Sequence, residues 1–238
     1  MKVYLDNNIL VDIEEGTYQL YMFQDQPQVS YYFSEVHMDE LMNGLNNNLD
    51  LKNIRLATLE QLCGHNYIIP GVLGSGIESE NITPKNAFEL SMKLKFLHDQ
   101  IYQFANSMSF DRDSIIDSLK MKKKEVGNFR SDEILPVIEQ KMLENWGYGI
   151  KTYLEMQCAS YDRTTYNALF NLLDFVCYWR DRSHTARMYD ASHAYFAGYC
   201  DVLVTNDKRM KYKTEAVYSY LGKETRVMRA VDFLNLNV

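Results

Sequence analysis

The hydrophobic pattern of the chain alternates between two periods. Short apolar runs of the kind that make doubly buried strands occur at Val3-Tyr4-Leu5 and Val202-Leu203-Val204, and each leads into an acid, Asp6 and Asp207. The segment from Gln28 to Phe33 is rich in β-branched and aromatic residues and predicts another strand, as does Thr225 to Met228. Around these runs the apolar residues recur at helical spacing. Ile9, Leu10 and Ile13 follow a cap at Asn7 or Asn8; Val36, Met38, Leu41 and Met42 follow a cap at Ser34; Leu51 to Cys63 continues the pattern. A further helix is predicted over His184 to Tyr199, whose alanines permit close packing on a sheet, and a short terminal one over Ala230 to Leu234. Both ends of the chain therefore read as strand, acid, helix, the pattern of an α/β domain with a mainly parallel sheet.

The middle reads differently. NYIIPGVLGSGI, from Asn66 to Ile77, predicts a turn or short extended segment. Pro84 then opens a long helix with a stripe of Ala87, Leu90, Leu94, Leu97, Ile101 and Phe104. Helical patterns follow at Ile115 to Leu119, Ile134 to Leu143 and Leu154 to Trp179. The whole chain, 1–238, is expected to form a single domain with a large helical insertion at about 69–180.

Composition narrows the partners. Apolar residues make up 46% of the 238 positions, enough for a sizeable core, yet no apolar run approaches the roughly 20 residues that span a bilayer. The amino terminus also lacks a basic region followed by an apolar one, so a soluble, cytoplasmic protein without membrane contact is expected. A net charge of -7 means that the surface as a whole repels nucleic acid. Binding of that kind needs a local basic patch or metal ions in an acidic pocket. The run Lys120 to Lys124 is one such patch, although a solvated helix face explains it more simply. Cys63, Cys158, Cys177 and Cys200 form no Cys-x-x-Cys pair and read as buried free thiols.

The acids form the candidate chemistry. Asp6 and Asp207 end strands, and the carboxyl edge of a parallel sheet is where ligands bind. Glu40 and Asp190 lie on predicted helices that could bring them to the same crevice, while Glu35 and Asp39 fit better as first-turn charges complementing a helix dipole. Gathered carboxylates repel one another unless a cation neutralises them, and hard oxygen donors without thiolate favour Mg²⁺ or Mn²⁺. The simpler roles are a helix cap for Asp6, a surface ion pair for Glu40 and pairing with Lys208 or Arg209 for Asp207. Lys208, Arg209, Lys211 and Lys213, joined by Arg226 and Arg229, are candidates for holding a phosphate backbone. His37, His184 and His193 are assigned to structure, His37 as a partly buried or exposed residue.

In order along the chain, LDNNILVD, SEVHMDEL, DASHAYFAG and VLVTNDKRM resemble the successive motifs of PIN-domain nucleases, over about the first 65 and last 55 residues. The resemblance implies a Rossmannoid α/β/α sandwich and a divalent-metal-dependent endoribonuclease that hydrolyses phosphodiesters of RNA or another single-stranded nucleic acid. Carried over motif by motif, it assigns Asp6, Glu40, Asp190 and Asp207 as catalytic ligands of Mg²⁺ or Mn²⁺, with Thr205 and Asn206 in support. Compact members often act as toxins of toxin–antitoxin pairs, so the resemblance also implies an inhibitory protein partner. The long middle section admits a lid, a homodimer contact or a docking surface. A competing reading is a weak or inactive PIN-like protein that binds nucleic acid or protein through this insertion. A dehalogenase-like phosphatase is disfavoured, because Asn8 stands where that chemistry wants a second acid.

Overall fold

The computed structural model of the chain describes residues 1–44, 48–70, 77–107, 111–157, 162–181 and 183–236. In chain order its elements begin with β1 (Lys2–Leu5), α1 (Asn7–Glu14), α2 (Leu20–Gln24), β2 (Ser30–Ser34), α3 (Glu35–Gly44) and α4 (Leu49–Cys63). Then come β3 (Asn66–Pro70), β4 (Ile77–Asn81), α5 (Pro84–Ser107), α6 (Arg112–Ser118), α7 (Lys123–Val126), α8 (Ser131–Trp146), α9 (Ile150–Met156) and α10 (Asp162–Phe175). The chain closes with α11 (His184–Ala197), β5 (Val202–Val204), α12 (Lys208–Leu221), β6 (Arg226–Met228) and α13 (Ala230–Leu234).

These elements divide into two compact units. The first comprises Met1–Tyr102, Phe196–Asp207 and Thr225–Val238 and holds all the described strands in one six-stranded sheet, ordered β4-β3-β2-β1-β5-β6. Every neighbouring pair is parallel except β3 with β4. The chain builds outward from β1 through β2 and β3, then returns to add β5 and β6 on the other side, so the strand order reverses between β1 and β5. Val3, Tyr4 and Leu5 face Val202, Leu203 and Val204 across that pair.

Alternation along the strands explains the core. Val3 and Leu5, Tyr31 and Phe33, Tyr67, and Val202 and Val204 point to one face, where Ile9, Leu10 and Ile13 of α1, Phe23 of α2, Leu59 and Leu62 of α4 and Phe233 of α13 cover them. Three-residue β5 is buried throughout, as a central parallel strand requires. Gly64 ends α4 at φ +56, a backbone region that a β-carbon disfavours.

The second unit, Gln103–Tyr195 and Lys208–Glu224, is helical in its described residues. Its interior holds a charge network. Asp174 accepts bonds from Arg112 Nη2 at 2.7 Å and Arg187 Nη1 at 3.0 Å, and the Asp181 N–H bonds its other oxygen at 3.1 Å. Lys213 pairs with Asp181 and lies 5.3 Å from the Phe170 ring centroid. Burial pushes the Asp174 carboxyl up, but the Arg112 hydrogen bonds, the Asp181 N–H and the two guanidinium charges outweigh it, holding the group below its ordinary value. Asp181 goes the other way: burial lifts it more than Lys213 lowers it.

Several sequence expectations change. Asn66 to Ile77 is not a turn alone: its two ends belong to β3 and to antiparallel β4, with residues 71–76 outside the described ones. The stretch expected as a helical insertion, about 69–180, is shared, its part up to Tyr102 belonging to the sheet unit. Along α5, Ala87 is buried but Leu90, Leu94 and Leu97 are 48, 50 and 57% exposed; the side chains of Ile101 and Phe104 lie outside the described residues. Cys63 and Cys200 are buried free thiols, with Cys200 pushed up to about 12 chiefly by burial. Cys177 is half-buried and Cys158 lies outside the described residues. No helix among the described residues is long and apolar enough to cross a membrane.

Candidate functional site

Two chain segments leave the sheet side by side at its carboxyl edge. The Asp6 N–H donates to the Val204 carbonyl at 2.9 Å and the Thr205 N–H to the Met228 carbonyl at 2.9 Å, so the ladder continues one residue past β1 and β5. Asp6, not Asn7 or Asn8, caps α1. At φ -66° and ψ 154° it sits in extended backbone, and its Oδ1 accepts from the Asn7 N–H at 2.7 Å. Its Oδ2 accepts from the Thr205 hydroxyl at 2.7 Å and from the Asn8 amide. Asp6 is only 5% exposed, so these donors replace water around the carboxylate.

Thr205 is the junction. Its oxygen accepts from the Asp207 N–H at 3.1 Å and from Asn8 Nδ2 at 3.0 Å, while its proton goes to Asp6. Next to it, the Asn206 N–H donates to Asn8 Oδ1 at 3.1 Å and its side-chain amide to Asp12 Oδ2 at 2.7 Å. The Asn206 side-chain oxygen, Oδ1, accepts from the Ala230 N–H at 3.2 Å. One asparagine thus ties the end of β5 to α1 and to the start of α13. Of the two residues expected in support, Thr205 bonds Asp6 directly, while Asn206 bonds Asn8, Asp12 and Ala230. Asn8 and Asp12 were missed as fasteners, and the only signal for them was the run of short polar residues straight after a strand.

Behind Asp6, Tyr4 is fully buried, its hydroxyl 2.6 Å from Ser34 Oγ. Burial first, with the Asp6 and Glu40 carboxylates adding, holds its phenol well above the ordinary tyrosine value, while the Ser34 bond works against them. His37 is buried rather than partly exposed. Its Nδ1 accepts from the Ser34 N–H at 3.2 Å, which leaves Nε2 to donate to the Leu5 carbonyl at 2.8 Å. Its role is to fasten α3 to the end of β1.

Glu40, on α3, lines a cavity of about 330 Å³ with Asn7, Val11, Glu14 and Arg55 among its other walls. Arg55 is gripped by both carboxylate oxygens of Glu14, with Nη2 to Oε2 at 2.9 Å, and by Asn7 Oδ1. The structure thus gathers Asp6, Asn8, Thr205, Asn206 and Asp207 into one bonded edge, with Glu40 on the neighbouring helix. Asp190 is half-buried on α11 in the stretch that belongs to the helical unit. Among the described residues, no three His, Cys, Asp or Glu side chains converge as a metal-binding group. In kind, the hard carboxylate oxygens of Asp6 and Asp207 suit Mg²⁺ or Mn²⁺.

The candidate cations separate. Lys208 is exposed, and Lys211 pairs with Glu215 one turn along α12. Lys213 is wholly buried on Asp181, which removes it from the phosphate-gripping set. In the first unit Arg226 and Arg229 are exposed. No family model matches the chain, and comparison with curated proteins and with solved structures gives no significant match.

Proposed function

We propose that the chain is a PIN-like, divalent-metal-dependent endoribonuclease. The observation that supports this best is that Asp6 and the Thr205-Asn206-Asp207 turn leave neighbouring parallel strands where the strand order reverses. In open α/β sheets that reversal is where ligands bind. Asp6 and Asp207 would hold the ion, with Glu40 as a further ligand that the resemblance assigns. When bound, the ion activates water and stabilises the leaving oxygen of a phosphodiester. Thr205 and Asn8 fix Asp6 Oδ2, so the carboxylate is oriented before any ligand arrives.

The test is to incubate purified protein with a mixed RNA pool in Mn²⁺, in EDTA, and in Mn²⁺ with Asp6→Asn. Cleavage is expected in the first arm alone, and Thr205→Val should lower it by roughly 10–100-fold through loss of an orienting bond. Equal cleavage in every arm removes the proposal.

A second reading, an interaction module without catalysis, draws on the absence of a three-acid group among the described residues and on the cap that Asp6 supplies to α1. Calorimetric titration separates the two. Heat of Mn²⁺ binding that disappears in Asp6→Asn favours the nuclease, and no binding at millimolar Mn²⁺ favours the module.

A further inference from the structure

The two units carry different charge. The sheet unit has 8 Lys and Arg against 17 Asp and Glu, net -9, while the helical unit has 17 against 15, net +2, together the -7 of the chain. Within the helical unit the buried charges Asp174, Asp181, Arg187 and Lys213 bond one another or Arg112. Its lysine-rich surface is left for other work.

One part of that surface also carries aromatic rings. Trp179 and Tyr212 stack with centroids 4.5 Å apart and planes 16° apart, both half-buried, and Lys211 Nζ lies 5.6 Å from the Tyr212 centroid. Trp179 sits in a turn that the backbone adopts under strain: Cys177 and Trp179 have φ of +64° and +47°, values that residues with a β-carbon rarely adopt. The intervening Tyr178 is buried, its hydroxyl 3.4 Å from Ser131 Oγ, so the turn anchors one ring and presents the next. Arg180 follows, exposed. Lys123, paired with Asp113 at 3.0 Å, is close enough to Arg180 for its charge to act on it, and exposed Lys124 is its neighbour along the chain.

We propose that Trp179 and Tyr212, flanked by Lys123, Lys124, Arg180 and Lys211, form a platform on the helical unit that binds single-stranded RNA. This deepens the nuclease reading, on which it rests for the choice of RNA as the polyanion. A strand supplies what the patch lacks: phosphates for the cations and a base to extend the ring stack on its solvent side. The ion pairs Lys123–Asp113 and Lys211–Glu215 do not block this, because exposed pairs are weak and a polyphosphate competes with them. Single strands fit better than duplexes, whose bases already stack on one another.

Fluorescence anisotropy of a labelled 12-nucleotide oligouridylate, titrated with the full chain in EDTA, tests the surface apart from cleavage. The Lys123→Ala, Lys124→Ala, Arg180→Ala triple variant should bind at least about 10-fold more weakly, with the slope of log affinity against log salt shallower by about 0.7 for each phosphate no longer neutralised. Trp179 is one of two tryptophans, so in a Trp146→Phe background its fluorescence reports stacking without altering the platform, and quenching at saturation is expected. Lys95→Ala, in an exposed pair on the sheet unit, should bind as the parent does, and because binding is read in EDTA, apart from cleavage, failure of the platform is distinguishable from failure of the nuclease reading. Unchanged affinity in the triple variant, unquenched Trp179, or equal competition by duplex RNA or polyglutamate would overturn the proposal.

Discussion

The sheet unit and the helical unit both bury charge, and they do so in different places. In the sheet unit one buried acid, Asp6, stands at the carboxyl edge, met by Asn7, Asn8 and Thr205. Those three donors are neutral groups. In the helical unit the buried acids are met by cations: Asp174 by Arg112 and Arg187, Asp181 by Lys213. There the charges cancel locally. A salt-bridged interior holds helices together and leaves little for a ligand. The contrast places the candidate chemistry in the first unit and architecture in the interior of the second.

Breaking the helical network is expected to give the largest effect. Asp174→Ala leaves buried Arg187 and half-buried Arg112 without their shared acceptor and should cost about 3–5 kcal/mol, read from urea unfolding with a probe in the helical unit such as Trp179 fluorescence. The same residue sets an acid limit. Its carboxyl is held below the ordinary value, so its contribution is full above the unfolded-state pKa near 4 and is lost as pH falls through the lower folded value. The parent should weaken below about pH 4, and the residual stability of Asp174→Ala should depend on pH less steeply there. Next in size, Asn206→Ala removes the side-chain bonds to Asp12 and Ala230 from the β5 turn and should cost about 1–3 kcal/mol, with amide exchange rising first at Ala230. Lys122→Ala removes an exposed pair with Glu125 and should leave the unfolding midpoint unchanged within error. A large effect there would break the contrast between interior and surface charge.

What could be read from the sequence follows the same division. β5 runs from Val202 to Val204 and α13 from Ala230 to Leu234 as their patterns predict, and β1 is found where Val3-Tyr4-Leu5 placed it. A doubly buried parallel strand writes itself as an apolar run with an abrupt polar end. β4 escaped because IESEN is polar and pairs on one side only, antiparallel to β3, so neither an apolar run nor clean alternation marks it. The cap at Asp6 was weighed as the simpler alternative, while Asn7, an equally good capping type, turns its side chain to Arg55. Lys213 looked like one more surface cation because its partner Asp181 is 32 residues away, and spacing carries no trace of such a pairing. Along α5 the apolar stripe marks a helix, but periodicity does not say what covers a face, and Leu90, Leu94 and Leu97 stay half exposed.

The sheet stops at β4 on one side and β6 on the other, five and three residues long. An outermost strand offers unpaired amides to any passing chain, and that template grows more dangerous with length and greasiness. IESEN carries two glutamates, and β6 opens on exposed Arg226. Short margins bearing charge discourage each edge from zipping against its own copy on a neighbouring molecule.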